Sequence, residues 1–170
     1  SLKYGALCPF LRPKKISQDN STDIECFKHF IYFLKKNKIK LPDYILHLRA
    51  TSPMRKYKQL EAAYSNIIKH KPDSLRFIKE VPISAYKLWK VKGNFIEPFV
   101  KTKKELHSMG RQYLEKTYLH SGTGDFIKSS VIMKGSMVGK KTAYIIDKNK
   151  NYIDIDKPKD LSIFRKIIKN

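Results

Sequence analysis

Apolar residues recur at helical spacing along 22–36, where Ile24, Phe27, Ile31 and Leu34 share one face, with Thr22 or Asp23 available to cap the start. YILHL, residues 44–48, follows Pro42-Asp43 as an unbroken apolar run and reads as a buried strand. Around Pro53, RATSPMR breaks regular structure and reads as a loop. From about Lys58 to His70 a second helix is predicted, because Leu60, Ala63, Tyr64, Ile67 and Ile68 form one stripe. Pro72-Asp73 ends it, and SLRFIKEV resumes as a strand. Helix, strand, helix, strand is the order of an α/β sandwich around a mostly parallel sheet.

The pattern then changes. AYKLWKV and FIEPFV flank Gly93-Asn94 and predict a β-hairpin, so 84–111 is an excursion from the core. Residues 112–136 have no clear period. TAYIIDKNKNYIDID, residues 142–156, predicts two short strands around a polar turn, and Pro158 opens a last helix whose buried face is Leu161, Phe164, Ile167 and Ile168. Neither repeats nor a linker divide the chain, so residues 1–170 are expected to form one domain.

Composition narrows the class. Apolar residues make up 41% of the 170, enough for a packed core. No apolar run is long enough for a membrane span and no signal peptide is visible, which points to a cytoplasmic protein. On that reading the Asn20-Ser21-Thr22 sequon is a chance match. Two cysteines, Cys8 and Cys26, are too few for a disulfide framework, and the five histidines lack ligand spacing. The net charge of +21 raises nucleic acid as a partner. Thirty of the thirty-six basic residues are lysines spread along the whole chain, however. Base and single-strand readers rely on arginine forks and clustered aromatics instead, so a nucleic-acid interface is not expected.

Two stretches carry candidate chemistry. In YIDID, Asp154 and Asp156 would share one face of a strand, with Cα atoms about 6.6 Å apart. Two such carboxylates suit a hard cation such as Mg²⁺, which leaves positions open for phosphate. Equally, Asp156 could cap the last helix while Asp154 is solvated, and the pair alone leaves both readings open. HLRATSPMR sets Arg49, Thr51, Ser52 and Arg55 just beyond a strand, where α/β sheets bind ligands and where guanidinium and hydroxyl groups suit phosphate or carboxylate. The polar loop from Arg12 to Thr22, and GRQYLEKTYLHSG with Arg111, Gln112, Ser121 and Gly122, mean little in isolation.

In this order the four stretches resemble the acylneuraminate cytidylyltransferase family, the CMP-sialic acid synthetases and their relatives acting on other acidic sugars. KYGALCPFLRP looks like the family's strand into its F-x-R-P turn, and HLRATSPMR like its L-Q-P-T-S-P-L-R loop. GRQYLEKTYLHSG is similar to its R-Q…Y-x-x-N-G segment, and YIDIDKPKDL to its D-I-D-T-x-x-D-L ending. The resemblance implies a Rossmann-like nucleotidyltransferase in which an acidic sugar, sialic acid or a related nonulosonic acid, attacks the α-phosphate of CTP to give a CMP-sugar and pyrophosphate. It implies Mg²⁺ on Asp154 and Asp156, and cytidine-side roles for Arg12 and Thr22. Sugar-side and phosphate-side roles fall on Arg49, Ser52, Arg55, Arg111, Gln112 and Ser121, beside Gly122. Asp154, Asp156 and Arg55 are the residues expected to carry catalysis, and 84–111 matches the family's dimerisation element, so a homodimer is expected.

The sequence also departs from the family. Arg49 stands where glutamine is common, Ala50 replaces proline, Ser121 replaces asparagine, and TGDF follows where a short apolar strand is expected. These changes bear on the identity of the sugar. The family's Gly-rich basic triphosphate loop has no counterpart here, since Gly5 is the only glycine before Gly93. The expectation is an N-terminally incomplete domain, inactive alone. The alternatives are a non-catalytic remnant that binds a partner and a lysine-rich nucleic-acid-binding module.

Overall fold

The computed structural model describes residues 2–149 and 152–168. The chain divides into two compact units: Ser1–His47, Ser65–Leu75 and Phe126–Ala143 in the first, and Leu48–Tyr64, Arg76–Asp125 and Tyr144–Asn170 in the second.

Helix α1 spans Asp23–Lys36. It begins at Thr22 because Glu25 reaches back, its Oε2 accepting the Thr22 amide at 2.7 Å and the Thr22 hydroxyl at 2.9 Å. It stops at Asn37, after which Lys38 turns to a φ of 55°. Its inner face meets β1 (Tyr44–His47) and the short helix α3 (Ser129–Met133) in the first unit's core, where Ile31, Ile45, Ile127, Val131 and Ile132 pack with Phe27, Phe30, Leu41 and Met137. Helix α2 spans Tyr57–His70. Only Ala63 and Ile67 of its stripe are buried, whereas Tyr64 and Ile68 are exposed.

Four strands form one sheet in the order β1-β5-β2-β6, with β2 at Ser74–Val81, β5 at Thr117–Lys128 and β6 at Thr142–Ile146. The expected mostly parallel sheet is not what forms. The described pairings are mostly antiparallel, with one parallel pair. The amide of Lys128 at the end of β5 donates to the carbonyl of Asp73 at the start of β2, and that of Ser129 donates to Asp43 before β1. Only β2 and β6 run together, their ladder passing from Asp73–Lys141 to Ile78–Asp147. The cause is the excursion: the amide of Ala85, just past β2, is held by the hydroxyl of Thr117 at the start of β5, 2.9 Å away. The chain thus re-enters the sheet at the end where it left. β1 and β2 keep the common direction that the α2 crossover imposes, but β5 lies between them reversed.

The excursion carries the expected hairpin, β3 (Trp89–Lys92) and β4 (Phe95–Pro98), antiparallel with Lys92 opposite Phe95 across Gly93-Asn94. Helix α4 spans Pro158–Ile167, with Leu161, Phe164 and Ile167 half-buried and Ile168 exposed. Two expected strands are not found. Residues 5–13 have no strand pairing; Leu7 and Leu11 are 93% and 92% exposed, while Phe10 packs its ring 4.8 Å from His29 and 4.9 Å from Phe33. A strand without a neighbour has nothing to hydrogen-bond. Residues 152–156 are likewise irregular, and Lys150 and Asn151, in the expected turn before them, lie outside the described residues. No described helix is long and apolar enough to cross a membrane.

Candidate functional site

Three segments of the second unit converge: the loop 49–55, the middle of β5, and 152–156. Ser52 is buried, 2% exposed, and its Oγ donates to Oδ1 of Asp154 at 3.2 Å. The next residue fixes the backbone, because the Ile155 amide donates to the Thr51 carbonyl at 2.8 Å. Arg55 ties the loop to itself and to the strand: Nε donates to the Thr123 carbonyl at 3.1 Å and an Nη to the Arg49 carbonyl. Burial pushes the Arg55 guanidinium below its ordinary value, yet arginine stays charged. Gly122 closes the junction. Its amide donates to the Tyr152 hydroxyl at 3.2 Å, and its Cα lies so near Ser52 that a Cβ there would sit 2.0 Å from Ser52 Oγ. A side chain at that position would force Ser52 to move.

Strand geometry does not aim Asp154 and Asp156, as no strand forms there. The contact with Ser52 does so for Asp154, which is half-buried; Asp156 is exposed. The helix-cap reading of Asp156 also fails. Lys157 is the N-cap residue of α4, and Asp160 reaches back so that its Oδ2 accepts the amides of Lys157 at 2.8 Å and Asp156 at 3.2 Å. Asp160 therefore does the capping, and no hydrogen bond from a described residue engages the Asp156 carboxylate. Among the described residues no group of three or more His, Cys, Asp or Glu could hold a metal. Asp154 beside the Ser52 hydroxyl, with Asp156 two residues on in the chain, offers oxygen donors only. That fits Mg²⁺, which commonly takes one or two protein carboxylates and completes its shell with water and substrate phosphate.

The other expected site residues are not gathered at this junction. Ser121 is fully buried, with its hydroxyl donating to Thr123 Oγ1 and Asp147 Oδ2, both at 3.3 Å, so it faces no open space. Arg111 and Gln112, in a 3-10 turn, line a different cavity with Glu80, Ser84 and Lys116. Arg12 and Thr22 belong to the first unit. Arg12 Nε donates to Ser17 Oγ at 3.1 Å, and Thr22 is engaged with Glu25 at the start of α1.

Sequence reasoning missed the residue with the densest bonding. Asp147, at the end of β6, is buried and accepts four donors. Gln59 Nε2 and the Asn149 amide reach Oδ1 at 2.8 Å each, while the hydroxyls of Thr123 and Ser121 reach Oδ2 at 2.5 and 3.3 Å. Nothing in the surrounding YIIDKN marks it. The His120–Asp125 pair was missed as well, with Nε2 and Oδ1 2.7 Å apart. Five fully extended residues span roughly 16 Å, beyond the reach of two side chains. The strand is therefore not fully extended between these two residues. The TGDF departure is thus a buried strand whose polar side chains are all satisfied.

Comparison with known proteins gives the fold first. The fold matches that of CMP:2-keto-3-deoxy-manno-octonic acid synthetase, solved in complex with CTP, at a TM-score of 0.53 over 84% of this chain and 67% of that one; the identity is 9%, so the fold alone is shared. The chain shares the α/β architecture of that structure. In sequence it is 26% identical to the pseudaminic acid cytidylyltransferases of two strains of Campylobacter jejuni subsp. jejuni, over 169 residues that cover 99% of this chain and 71% of theirs. Both likenesses are to enzymes named for joining an acidic sugar to CMP. No family model matches.

Proposed function

We propose that the protein is a cytidylyltransferase that activates a nonulosonic acid. The anomeric hydroxyl of the sugar attacks the α-phosphate of CTP, the bond to the β-phosphate breaks, pyrophosphate leaves, and the hydroxyl proton is lost to solvent. The observation that carries this reading is the junction of Ser52, Gly122 and Asp154. Segments separated by 102 residues meet at a hydrogen bond, and they are segments that also match the acidic-sugar family's motifs.

Within that reading Asp154 and Asp156 hold the divalent cation, and Ser52 fixes the orientation of Asp154. Mg²⁺, when bound, neutralises charge on the α-phosphate and acidifies the attacking hydroxyl. Arg55 holds the 49–55 loop against β5 and lends a permanent positive charge beside the phosphates, which suits a reaction driven by positioning and charge neutralisation. Arg49 adds a second guanidinium from the same loop. Arg12 and Thr22 are assigned to the cytidine side on the family likeness alone. Ser121 supports the strand through Asp147 rather than touching substrate. In the full-length protein, Asp154→Asn and Asp156→Asn should keep the thermal midpoint within a few degrees and lower pyrophosphate release from CTP by two or more orders of magnitude. Near-wild-type release from both variants would overturn the assignment.

The protein is further proposed to act as a homodimer built on the hairpin. Val91 and Phe95 are 80% and 79% exposed there, with Ile96 and Phe99 also facing solvent, and an apolar patch of this kind marks an interface. Sedimentation velocity on the full-length protein should give a dimer at micromolar concentration, and Phe95→Glu should give a monomer. A wild-type monomer under those conditions removes the proposal.

A further inference from the structure

Met54, Arg55 and Lys56 lead the 49–55 loop into α2, and each is held by a different group. The Met54 carbonyl accepts from Asn149 Nδ2 at 2.8 Å. Arg55 Nε donates to the Thr123 carbonyl at 3.1 Å. The Lys56 amide donates to Gln59 Oε1 at 2.9 Å. Asn149, Thr123 and Gln59 come from three segments of the second unit, and all three are bonded to one carboxylate. The Asn149 amide and Gln59 Nε2 donate to Asp147 Oδ1 at 2.8 Å each, and the Thr123 hydroxyl donates to Oδ2 at 2.5 Å.

Asp147 is mounted on the sheet, its own amide donating to the Ile78 carbonyl at 2.7 Å, and it is only 3% exposed. An ionised carboxylate only accepts, and it has about four lone-pair positions. With the Ser121 hydroxyl as the fourth donor those positions are filled, so the carboxylate has no capacity left for a ligand. All four donors are neutral groups. Burying a charge is costly even when it is hydrogen-bonded. An apolar residue of similar size would fill the same volume without that cost, but it would hold none of the three segments. What the carboxylate provides is one rigid point to which all three are tied. The grip also reaches the start of the loop, because an Nη of Arg55 donates to the Arg49 carbonyl.

We infer that Asp147 is a positioning residue: it does not meet substrate, and it sets the place of Arg55 by holding Met54, Arg55 and Lys56 through Asn149, Thr123 and Gln59. The inference rests on the proposed cytidylyltransferase reading for the use made of Arg55, and not for the arrangement that holds it. Loss of the carboxylate weakens three contacts together. The loop then leaves its seat more often while every group that meets substrate keeps its chemistry, and a reaction that depends on positioning is sensitive to displacement of that kind.

The test follows the Nε–H NMR signal of Arg55 in the isotope-labelled full-length protein, assigned by its disappearance in Arg55→Lys. Asp147→Asn keeps the shape of the side chain but replaces an acceptor by a donor. In that variant the Arg55 Nε–H should exchange with solvent about tenfold faster. The kcat for pyrophosphate release should fall about tenfold, with the KM for CTP within about threefold of wild type. Asn149→Ala removes the Nδ2 that reaches Met54 and leaves its own amide on Asp147, so it should show the same two changes at about threefold. A purely structural carboxylate would lower the urea midpoint of Asp147→Asn and leave the exchange rate and kcat at wild-type values; that result, or a change in KM alone, would overturn the inference. Where Asp147→Asn does not fold, Asn149→Ala decides, and wild-type exchange and kcat in it overturn the inference equally. A wild type that never releases pyrophosphate removes the cytidylyltransferase reading only. The exchange rate then decides by itself: faster exchange in the variants keeps the role of Asp147, and unchanged exchange removes it.

Discussion

Replacing Gly122 by alanine puts a methyl group where Ser52 already stands. The added Cβ would lie 2.0 Å from Ser52 Oγ, 3.1 Å from Ser52 Cβ and 3.6 Å from Arg49 Cδ. Gly122 is not among the glycines with positive φ, so the backbone itself accepts alanine and the whole cost is one of contact. Rotating Ser52 to another staggered well moves Oγ away but breaks its hydrogen bond to Asp154. The Cβ–Cβ contact stays tight after that rotation, so strain persists. A lost hydrogen bond to a charged group costs about 1.5–3 kcal/mol, and forcing a methyl into a packed site costs about 1–3 kcal/mol. Because the bond is long, the lower part of each range applies, giving about 3 kcal/mol in all. For a chain of this size that lowers the thermal midpoint by about 6–12 °C. Urea denaturation should show an earlier midpoint at unchanged slope. The decisive measurement is the cycle with Ser52→Gly, which removes both clashing atoms. Gly122→Ala in that background should cost less than about 1 kcal/mol, a coupling of about 2 kcal/mol. Additive costs, or a Gly122→Ala protein within about 0.5 kcal/mol of wild type, would refute the close approach and with it the geometry assigned to Asp154.

Two further outcomes follow from the buried and capped carboxylates. Asp147→Ala should destabilise by about 3 kcal/mol in urea denaturation, because it leaves the buried hydroxyls of Ser121 and Thr123 and the amide of Gln59 without their acceptor. Asp147→Asn should cost roughly half as much, since the hydroxyls can turn to accept from the new amide. Stability should also fall in acid. The Asp73 carboxyl is held below the usual range by the amides of Lys140 and Lys141, with Lys128 and Lys134 adding to it, and the Glu25 carboxyl is held down by the amide and then the hydroxyl of Thr22. Depressed folded values mean stabilisation present above the unfolded values near 4 and lost as pH falls through the folded ones. The urea midpoint should therefore drop between about pH 5 and pH 2, and Asp73→Asn should flatten that profile.

The parts of the fold that were legible from sequence are those whose periodicity is local. The α1 face of Phe27, Ile31 and Leu34, the Ala63–Ile67 stripe, SLRFIKEV and the Gly93-Asn94 hairpin all emerged as expected. The direction of β5 was not legible, because it depends on where the excursion returns, and that is fixed by a bond from Ala85 to Thr117 across thirty-two residues. β5 itself was hidden because Ser121, Thr123 and Asp125 are buried polar side chains, and a satisfied polar core has no hydrophobic period. The same reason hid Asp147. YIDID looked like a strand by alternation, but Asp154 is positioned by Ser52 and the segment by one backbone bond to Thr51. The family likeness marked both segments, and neither propensity nor spacing showed that they touch.

That backbone bond, from the Ile155 amide to the Thr51 carbonyl, makes the acidic segment and the 49–55 loop a single opening unit. Solvent reaches the Ile155 amide only when the loop lifts, so deuterium uptake at that one proton measures how often the loop is away from its seat. Anything that orders the loop slows exchange twelve residues ahead of the C-terminal end of α4, and anything that pulls on the acidic segment loosens Ser52 as well. The two stretches therefore share one free energy of opening, and neither can be ordered at the other's expense.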